Sequence, residues 1–261
     1  MAGYTQLWTY LRSSRHAANR ISAMMNNFFD IHCHFLPNLD EGPSTTEESV
    51  KMLQLAQADG IVGIVATPHI IAGLYNNTKE IIDSAITELK KFTNHVPLYS
   101  GAEIRIDRDL VARVADGELP LINNKKFLLL ELPAYVIPPV LQLENIVKCL
   151  VKNHIVPIFA HPERNIPILK DLSIMEKLIR CGALFQVTAM SLKDSSLQRP
   201  ALKMIRKGYV HAVASDAHDV ERRPPILSIA YEIIAKNFDR DMANKLFKHN
   251  PLKIIQGGNV G

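Results

Sequence analysis

Two histidines one residue apart, His32 and His34, close an apolar run that begins at Phe28. Alternate side chains of a β-strand lie on the same face, so both imidazoles are expected to face one side. Asp40 and Glu41 follow in the next loop, within reach of the imidazoles. Imidazole nitrogens and carboxylate oxygens bind divalent metals, so the segment predicts part of a metal site in which either Asp40 or Glu41 takes part.

Ligand-type residues recur at the ends of later strand-like runs. They are His69, Glu103, Glu131, His161, Asp216 and His218. Glu131 interrupts the apolar run Phe127–Leu132, where a carboxylate is costly to bury unless it is paired or binds a cation. The set has more donors than one ion needs and contains no thiolate, which predicts two or three Mn, Fe or Zn ions rather than a structural zinc cluster. Such clusters activate water and neutralise the oxygens of phosphoryl groups.

Two arginines lie just beyond these ligand-type residues. Arg164 follows His161 by three residues, and Arg223 follows the pair Asp216 and His218. A guanidinium on a metal-bearing loop can grip phosphate oxygens with two parallel hydrogen bonds. Cys33 lies between the two strand histidines, where alternation points it to the opposite face, so we do not expect it to act as a nucleophile.

The elements that must position these side chains alternate between strand-like and helix-like patterns. Seven strands are predicted near Phe28–His34, Ile61–Thr67, Pro97–Glu103, Phe127–Leu132, Ile155–His161, Ala183–Thr188 and Tyr209–Ser215. Helical spacing covers Lys79–Phe92, Leu141–Lys152, Asp171–Arg180, Ser196–Lys207 and most of Ile226–Ile255, with a break expected before Pro251. A capping box at Ser44–Glu47 predicts a further helix that ends at Gly60.

This alternation predicts an α/β fold with a parallel sheet and crossover helices. Every candidate ligand falls at the carboxyl end of a strand, which favours a seven-stranded barrel over an open sheet. An α/β barrel builds its active site on that face, whereas an open sheet gathers ligands only near its switch point.

Composition narrows the class of protein. The chain has 261 residues, of which 47% are hydrophobic and 21% are charged, as expected of a globular enzyme. A net charge of +4 suits anionic substrates and is too diffuse to indicate nucleic acid binding. Three cysteines without CxxC spacing indicate reduced thiols in a cytoplasmic protein. No apolar run approaches the length that spans a membrane.

The first residues differ in composition from the rest. Residues 1–28 contain three arginines and no acidic residue, and we interpret them as a basic, flexible extension preceding a single domain over residues 29–261. One alternative is that translation starts at Met24 or Met25. Another is that the extension is a weak anchor on anionic lipid, in which case membrane contact is expected to be peripheral at most.

The motifs together resemble the PHP (polymerase and histidinol phosphatase) superfamily. The motifs are Asp30–His34, Asp40–Gly42, Ala66–His69, Gly101–Glu103, Ala160–Arg164 and Ser215–His218. Within that superfamily, the chain resembles the bacterial manganese-dependent protein-tyrosine phosphatases of capsule and exopolysaccharide loci. The resemblance implies a distorted (β/α)7 barrel.

The resemblance also implies roles for individual residues. It implies that His32, His34, Glu103 and Asp216 hold one metal, that Glu103 bridges to a second held with Glu131 and His161, and that Glu41, His69 and His218 hold a third. Arg164 and Arg223 match the arginines that bind phosphate. The implied reaction is hydrolysis of phosphotyrosine by a metal-activated hydroxide, with manganese as cofactor and a bacterial tyrosine kinase of polysaccharide export as substrate.

Three other functions fit parts of the pattern. A histidinol-phosphate or other small-molecule phosphatase would share the metals and differ in its pocket. A metal-dependent amidohydrolase also begins with His-x-His, but uses eight strands and often a modified lysine on the fourth, where this chain has Glu131. A non-catalytic PHP module would have lost ligands that this chain keeps.

Overall fold

The computed structural model describes residues 26–260, and all statements on structure refer to that part of the chain. The expectations for the basic extension therefore lie largely outside the described residues, and so does Gly261. None of the described helices combines the length and apolar character needed to cross a membrane.

Strands and helices alternate throughout the described residues. The strands are β1 (Phe28–Cys33), β2 (Ile61–Ala66), β3 (His69–Ile71), β4 (Tyr75–Asn76), β5 (Leu98–Ser100), β6 (Glu103–Arg105), β7 (Phe127–Glu131), β8 (Val156–Ala160), β9 (Leu184–Thr188) and β10 (Ala212–Ala214). The helices are α1 (Thr46–Ala58), α2 (Lys79–Leu89), α3 (Leu110–Ala115), α4 (Val140–Lys152), α5 (Ile166–Lys170), α6 (Ser173–Arg180), α7 (Ala189–Lys193), α8 (Gln198–Arg206), α9 (Ser228–Asn237), α10 (Arg240–Asn244) and α11 (Asn250–Gln256). Short 3₁₀ turns cover Ile122–Asn124 and Pro162–Arg164.

The ten strands reduce to seven main ones if β2 and β3 count as one interrupted strand, β5 and β6 as another, and the short β4 is set aside, in agreement with the predicted α/β fold of the (β/α)7 type. One sheet has the order β1-β2-β5 and the other has the order β10-β9-β8-β7-β6-β3-β4. Every neighbouring pair is parallel except β3 and β4. Hydrogen bonds from the backbone N–H groups of Asp216 and His34 to the carbonyls of His32 and Ala217 link the first strand to the chain just after the last.

One of the seven predicted strands is broken and another is followed by an unpredicted strand, which corrects the sequence analysis. The predicted strand Pro97–Glu103 divides into β5 and β6, and the second predicted strand is followed by β3 after Thr67-Pro68. His69 and Glu103 therefore begin strands instead of ending them. A proline has no N–H to donate, so Pro68 interrupts the hydrogen-bond ladder and allows the two halves to pair with different neighbours.

The predicted helices are present with ends shifted by a few residues, the short helices α3, α5 and α7 are not predicted by the sequence, and two further features differ. Thr45 caps α1 by accepting a hydrogen bond from the Glu48 N–H, one residue later than the predicted box. The predicted break before Pro251 is wrong, because α10, a π-helical turn over Lys245–His249 and α11 follow one another without interruption. Pro251 is the second residue of α11 and directly follows the π-helical turn, so the helical path continues through the proline.

The barrel interior is apolar below the functional face. On β7 the side chains of Phe127 and Leu129 belong to an interior cluster, and alternation places Glu131 on the same side at the carboxyl end. The C-terminal helix α11 adds Ile254 and Ile255 to this cluster. The apolar interior therefore gives way to a candidate ligand, Glu131, at the carboxyl end of β7, the face on which an α/β barrel builds its active site.

Candidate metal centre

His32 and His34 are held in fixed orientations by partners outside the centre. His32 Nδ1 lies 2.8 Å from Gln186 Oε1, an atom that can only accept, so Nδ1 must carry the proton. His34 Nδ1 lies 2.6 Å from Asp40 Oδ2, and this carboxylate likewise fixes the proton on Nδ1. In the neutral tautomers, both Nε2 atoms present lone pairs to the centre, as in metal sites whose outer partners orient the imidazoles.

Four donor atoms converge on one point. His32 Nε2 lies 3.2 Å from Glu103 Oε2, 3.3 Å from Asp216 Oδ1 and 3.1 Å from His34 Nε2. Atoms that bind one ion at about 2.1 Å are separated by roughly 3.0–3.4 Å in octahedral or tetrahedral arrangements. Lone pairs and carboxylates at such separations repel one another unless positive charge lies between them. The four residues that the family resemblance assigns to one metal thus have donor spacings that fit a divalent ion.

Several buried polar atoms at the centre have no hydrogen-bond partner. Within the described residues, the buried atoms His69 Nδ1, Glu103 Oε2 and His218 Nε2 make no well-oriented hydrogen bond, although His69 Nδ1 and Glu103 Oε2 lie 3.1 Å apart. Buried donors and acceptors of folded proteins are almost always satisfied. These three atoms all belong to predicted ligands, and a bound cation would satisfy them.

A second group of donors shares Glu103 with the first. Glu103, Glu131 and His161 each offer one atom, and these atoms lie within 4.8 Å of one another. His161 Nε2 is 2.8 Å from Glu103 Oε1, while Glu131 Oε2 accepts a 2.9 Å hydrogen bond from Arg105 Nε. Arg105 thereby holds Glu131 in place. Glu103 has one oxygen directed at each group, as expected of a bridging ligand.

The third group distinguishes Glu41 from Asp40. Glu41 Oε1 lies 3.6 Å from His69 Nε2 and 3.4 Å from His218 Nε2. Asp40 is already engaged, because its oxygens accept hydrogen bonds from His34 Nδ1 and from the backbone N–H groups of His69 and Gly42. Glu41 therefore faces the imidazoles of this group, whereas Asp40 orients the histidines from outside.

The electrostatics of the centre favour positive charge. Burial alone would raise the pKa of Glu103, but His32 and His161 hold this pKa well below its usual range. Burial opposes protonation of His161, yet the carboxylates of Glu103 and Asp216 raise its pKa to about 9. Burial and the neighbouring His34 lower the pKa of His218 to about 2, so the His218 imidazole stays neutral and keeps a lone pair that can bind a metal.

Two site residues adopt backbone conformations that L-amino acids rarely use. His161 has a φ of 34° and Asp216 has a φ of 53°, both in the left-handed region. Such strain costs of order 1–3 kcal/mol per residue and persists where the surrounding structure fixes it, which is common at functional sites. Both residues lie just after strands, β8 and β10, where the turn directs their side chains into the centre.

Both predicted arginines converge on one carboxylate oxygen. Arg164 donates a 2.6 Å hydrogen bond to Asp216 Oδ2, and Arg223 lies 2.8 Å from the same atom. Asp216 thus directs Oδ1 to the histidines and Oδ2 to the guanidinium groups. A cavity of about 160 Å³ opens here, and all the predicted site residues except His32, His34 and His218 line it. Each arginine side chain is about one-third exposed toward this opening.

Sequence reasoning missed two residues that support the centre and left the role of a third open. Gln186 and Arg105 have no predicted role, and Asp40 is predicted only as an alternative ligand. Gln186 is a fully buried polar residue within the apolar strand β9, a signal of the same kind as Glu131. Arg105 offers no such signal, since its pairing with Glu131 depends on the register of β6 against β7.

Comparison with known proteins agrees with this geometry. Residues 28–256 match the family described as capsular polysaccharide synthesis, CpsB/CapC. The tyrosine-protein phosphatase YwqE of Bacillus subtilis is 32% identical over 230 residues, covering 85% of this chain and 90% of that protein. One crystal structure comes from work on YwqE and on CpsB of Streptococcus pneumoniae, which is described as treating unique metal-dependent tyrosine phosphatases. It superposes on this chain with a TM-score of 0.84 at 30% identity, covering 89% of this chain and 96% of that one.

A more distant likeness extends only to the fold. The L-hydantoinase of Arthrobacter aurescens superposes with a TM-score of 0.54 at 10% identity, covering 88% of this chain and 71% of that chain. Such similarity indicates a related barrel and carries no statement about activity. The family match over most of the chain, together with the relative at 32% identity, confirms the family expected from the motifs. The chain therefore belongs to the CpsB/CapC family of capsular polysaccharide synthesis proteins.

Proposed function

We propose that this protein is a metal-dependent protein-tyrosine phosphatase that hydrolyses phosphotyrosine on a protein of the capsule or exopolysaccharide machinery. The observation that carries the proposal is the convergence of oriented imidazole lone pairs, carboxylates and two guanidinium groups on one cavity. The names of its relatives support the same activity. The substrate is expected to be a bacterial tyrosine kinase, and the site of action the cytoplasm.

The proposed ligands are His32, His34, Glu103 and Asp216 for one ion, Glu103, Glu131 and His161 for a second, and Glu41, His69 and His218 for a third. When bound, divalent ions at these positions would supply a water of lowered pKa and neutralise charge on the phosphoryl group. Manganese is the ion we propose, although iron and zinc suit the same nitrogen and oxygen donors.

The side chains of the protein would act on the phosphoryl group in a definite order. Arg164 and Arg223 would bind the phosphate oxygens on entry, exchanging their contacts with Asp216 Oδ2 for contacts with the substrate. The same guanidinium groups would stabilise the charge that develops on these oxygens in the transition state. A tyrosyl leaving group has a pKa near 10, so its departure needs less proton assistance than that of an alkoxide.

The test compares two substrates with metal-stripped protein and with protein to which Mn²⁺ is restored. We expect Mn²⁺-dependent release of phosphate from a phosphotyrosine peptide, lost in His32→Ala and reduced in Arg164→Ala and Arg223→Ala. Exposed residues of the same types, in His154→Ala and Arg222→Ala, provide matched controls that should keep full activity. Preference for histidinol phosphate would instead assign a small-molecule phosphatase, and trapping of a phosphorylated enzyme would refute the mechanism.

A further inference from the structure

The two most exposed large apolar side chains of the described residues are neighbours in sequence. Tyr135 is 78% exposed and Val136 is 75% exposed, in the loop that connects β7 to α4. Single exposed apolar residues are ordinary, but adjacent ones beside a functional cavity often mark a binding surface. This loop follows directly from the strand that ends in Glu131.

The loop is fixed to the arginine-bearing loop by two hydrogen bonds. Asn165 Nδ2 donates to the Pro133 carbonyl at 2.7 Å, and the Ile166 N–H donates to the Ala134 carbonyl at 3.0 Å. The second bond brings Ile166, which is 38% exposed, beside the start of the Tyr135 segment. We refer to Tyr135, Val136 and Ile166 as the apolar rim.

The apolar rim borders the opening of the cavity. Ala134 and Asn165, each next in sequence to a rim residue, line the cavity together with Arg164. A phosphotyrosine whose phosphate reaches Arg164 must therefore bring its own backbone across these loops. Two or three residues on either side of it span roughly 7–10 Å of extended chain, enough to reach the rim.

Resting on the proposed function, we infer that the apolar rim is a specificity surface that binds apolar residues flanking the phosphotyrosine of the substrate polypeptide. Tyrosine is favoured at binding surfaces because it offers a large, rigid contact area together with a hydroxyl group. The arginines supply the attraction for phosphate, and the rim supplies the preference among phosphotyrosine sequences.

The experiment measures kcat/KM for two phosphotyrosine peptides that differ only in their flanks, leucine in one and serine in the other, and for free phosphotyrosine. We expect the wild type to favour the leucine-flanked peptide about tenfold, equivalent to about 1.4 kcal/mol. The double variant Tyr135→Ser/Val136→Ser should lose this preference mainly through KM while its rate with free phosphotyrosine stays within about twofold of wild type.

Phe92→Ser is the matched control, because Phe92 is 63% exposed and lies on the connection between α2 and β5. It should keep the tenfold preference. A wild type without preference, or a double variant that retains it, would overturn the inference. An equal loss on all three substrates would also overturn it, by assigning the rim to folding or to the reaction itself. Wild-type activity on histidinol phosphate alone would refute the proposed function, and the apolar rim would lose its assigned partner with it.

Discussion

Gln186 gives the sharpest test of the proposed metal centre. Its Oε1 atom is 2.8 Å from His32 Nδ1, and both side chains are fully buried. In Gln186→Met, a side chain of similar length without an acceptor, the Nδ1–H group would lose this partner. Leaving a buried donor unsatisfied costs about 1–3 kcal/mol, which favours moving the proton to Nε2.

That tautomer change would remove the lone pair that faces the centre. A proton on Nε2 would point at Glu103 Oε2 and Asp216 Oδ1, which lie 3.2 and 3.3 Å away, and would have to be displaced before a metal could bind. We therefore expect Gln186→Met to weaken Mn²⁺ binding by about 10–100-fold, the range found for outer partners of metal-bound histidines. This range corresponds to about 1.4–2.7 kcal/mol.

The assay is titration of metal-free protein with Mn²⁺ by calorimetry, with circular dichroism to verify the fold. Gln186→Glu keeps an acceptor at the same position and should bind Mn²⁺ at least as tightly as the wild type. Gln198→Met is a control for loss of a glutamine elsewhere, since the side-chain amide of Gln198, at the start of α8, donates a hydrogen bond to the Leu192 carbonyl on α7. Wild-type affinity in Gln186→Met, or equal weakening in the Met and Glu variants, would refute the orientation argument.

Two further predictions concern an acidic pair and a titrating histidine. Asp40→Asn should lower the free energy of unfolding of the metal-free protein by about 1–3 kcal/mol in urea denaturation, because the buried carboxylate accepts three hydrogen bonds. Glu41→Gln should leave that free energy unchanged, because the Glu41 side chain is 51% exposed. The same variant should bind less metal in elemental analysis, because Glu41 faces His69 and His218. The reverse pattern would make Asp40 the ligand. Burial and nearby Lys245 lower the pKa of His211 to about 4, and its Nδ1 accepts from the Phe185 N–H. Because the neutral imidazole is favoured in the folded state, the free energy of unfolding should fall as the pH drops from 6.5 toward 4, by at most about 2 kcal/mol between pH 7 and 5. His211→Gln should remove this part of the pH dependence in denaturation curves. An unchanged pH dependence in the variant would contradict the assignment to His211.

Much of the centre was predictable because parallel strands of a barrel place their carboxyl ends on one face. His32, His34, Glu131, His161 and Asp216 follow from this rule, since each lies at or just beyond the end of an apolar run. The rule fails for His69 and Glu103, because Pro68 and the turn before Glu103 place these two ligands at the starts of β3 and β6. The ligand side chains nevertheless reach the centre.

The amino-acid sequence alone determined the alternation of strands and helices, the barrel class and the residue types available to a metal, because these depend on local periodicity and chemistry. Tertiary structure alone decided which of Asp40 and Glu41 faces the centre, and that Gln186 fixes the tautomer of His32. It also decided that Arg164 and Arg223 meet at one carboxylate. These outcomes depend on distances between residues far apart in the chain, which are set by strand register and loop geometry rather than by local sequence.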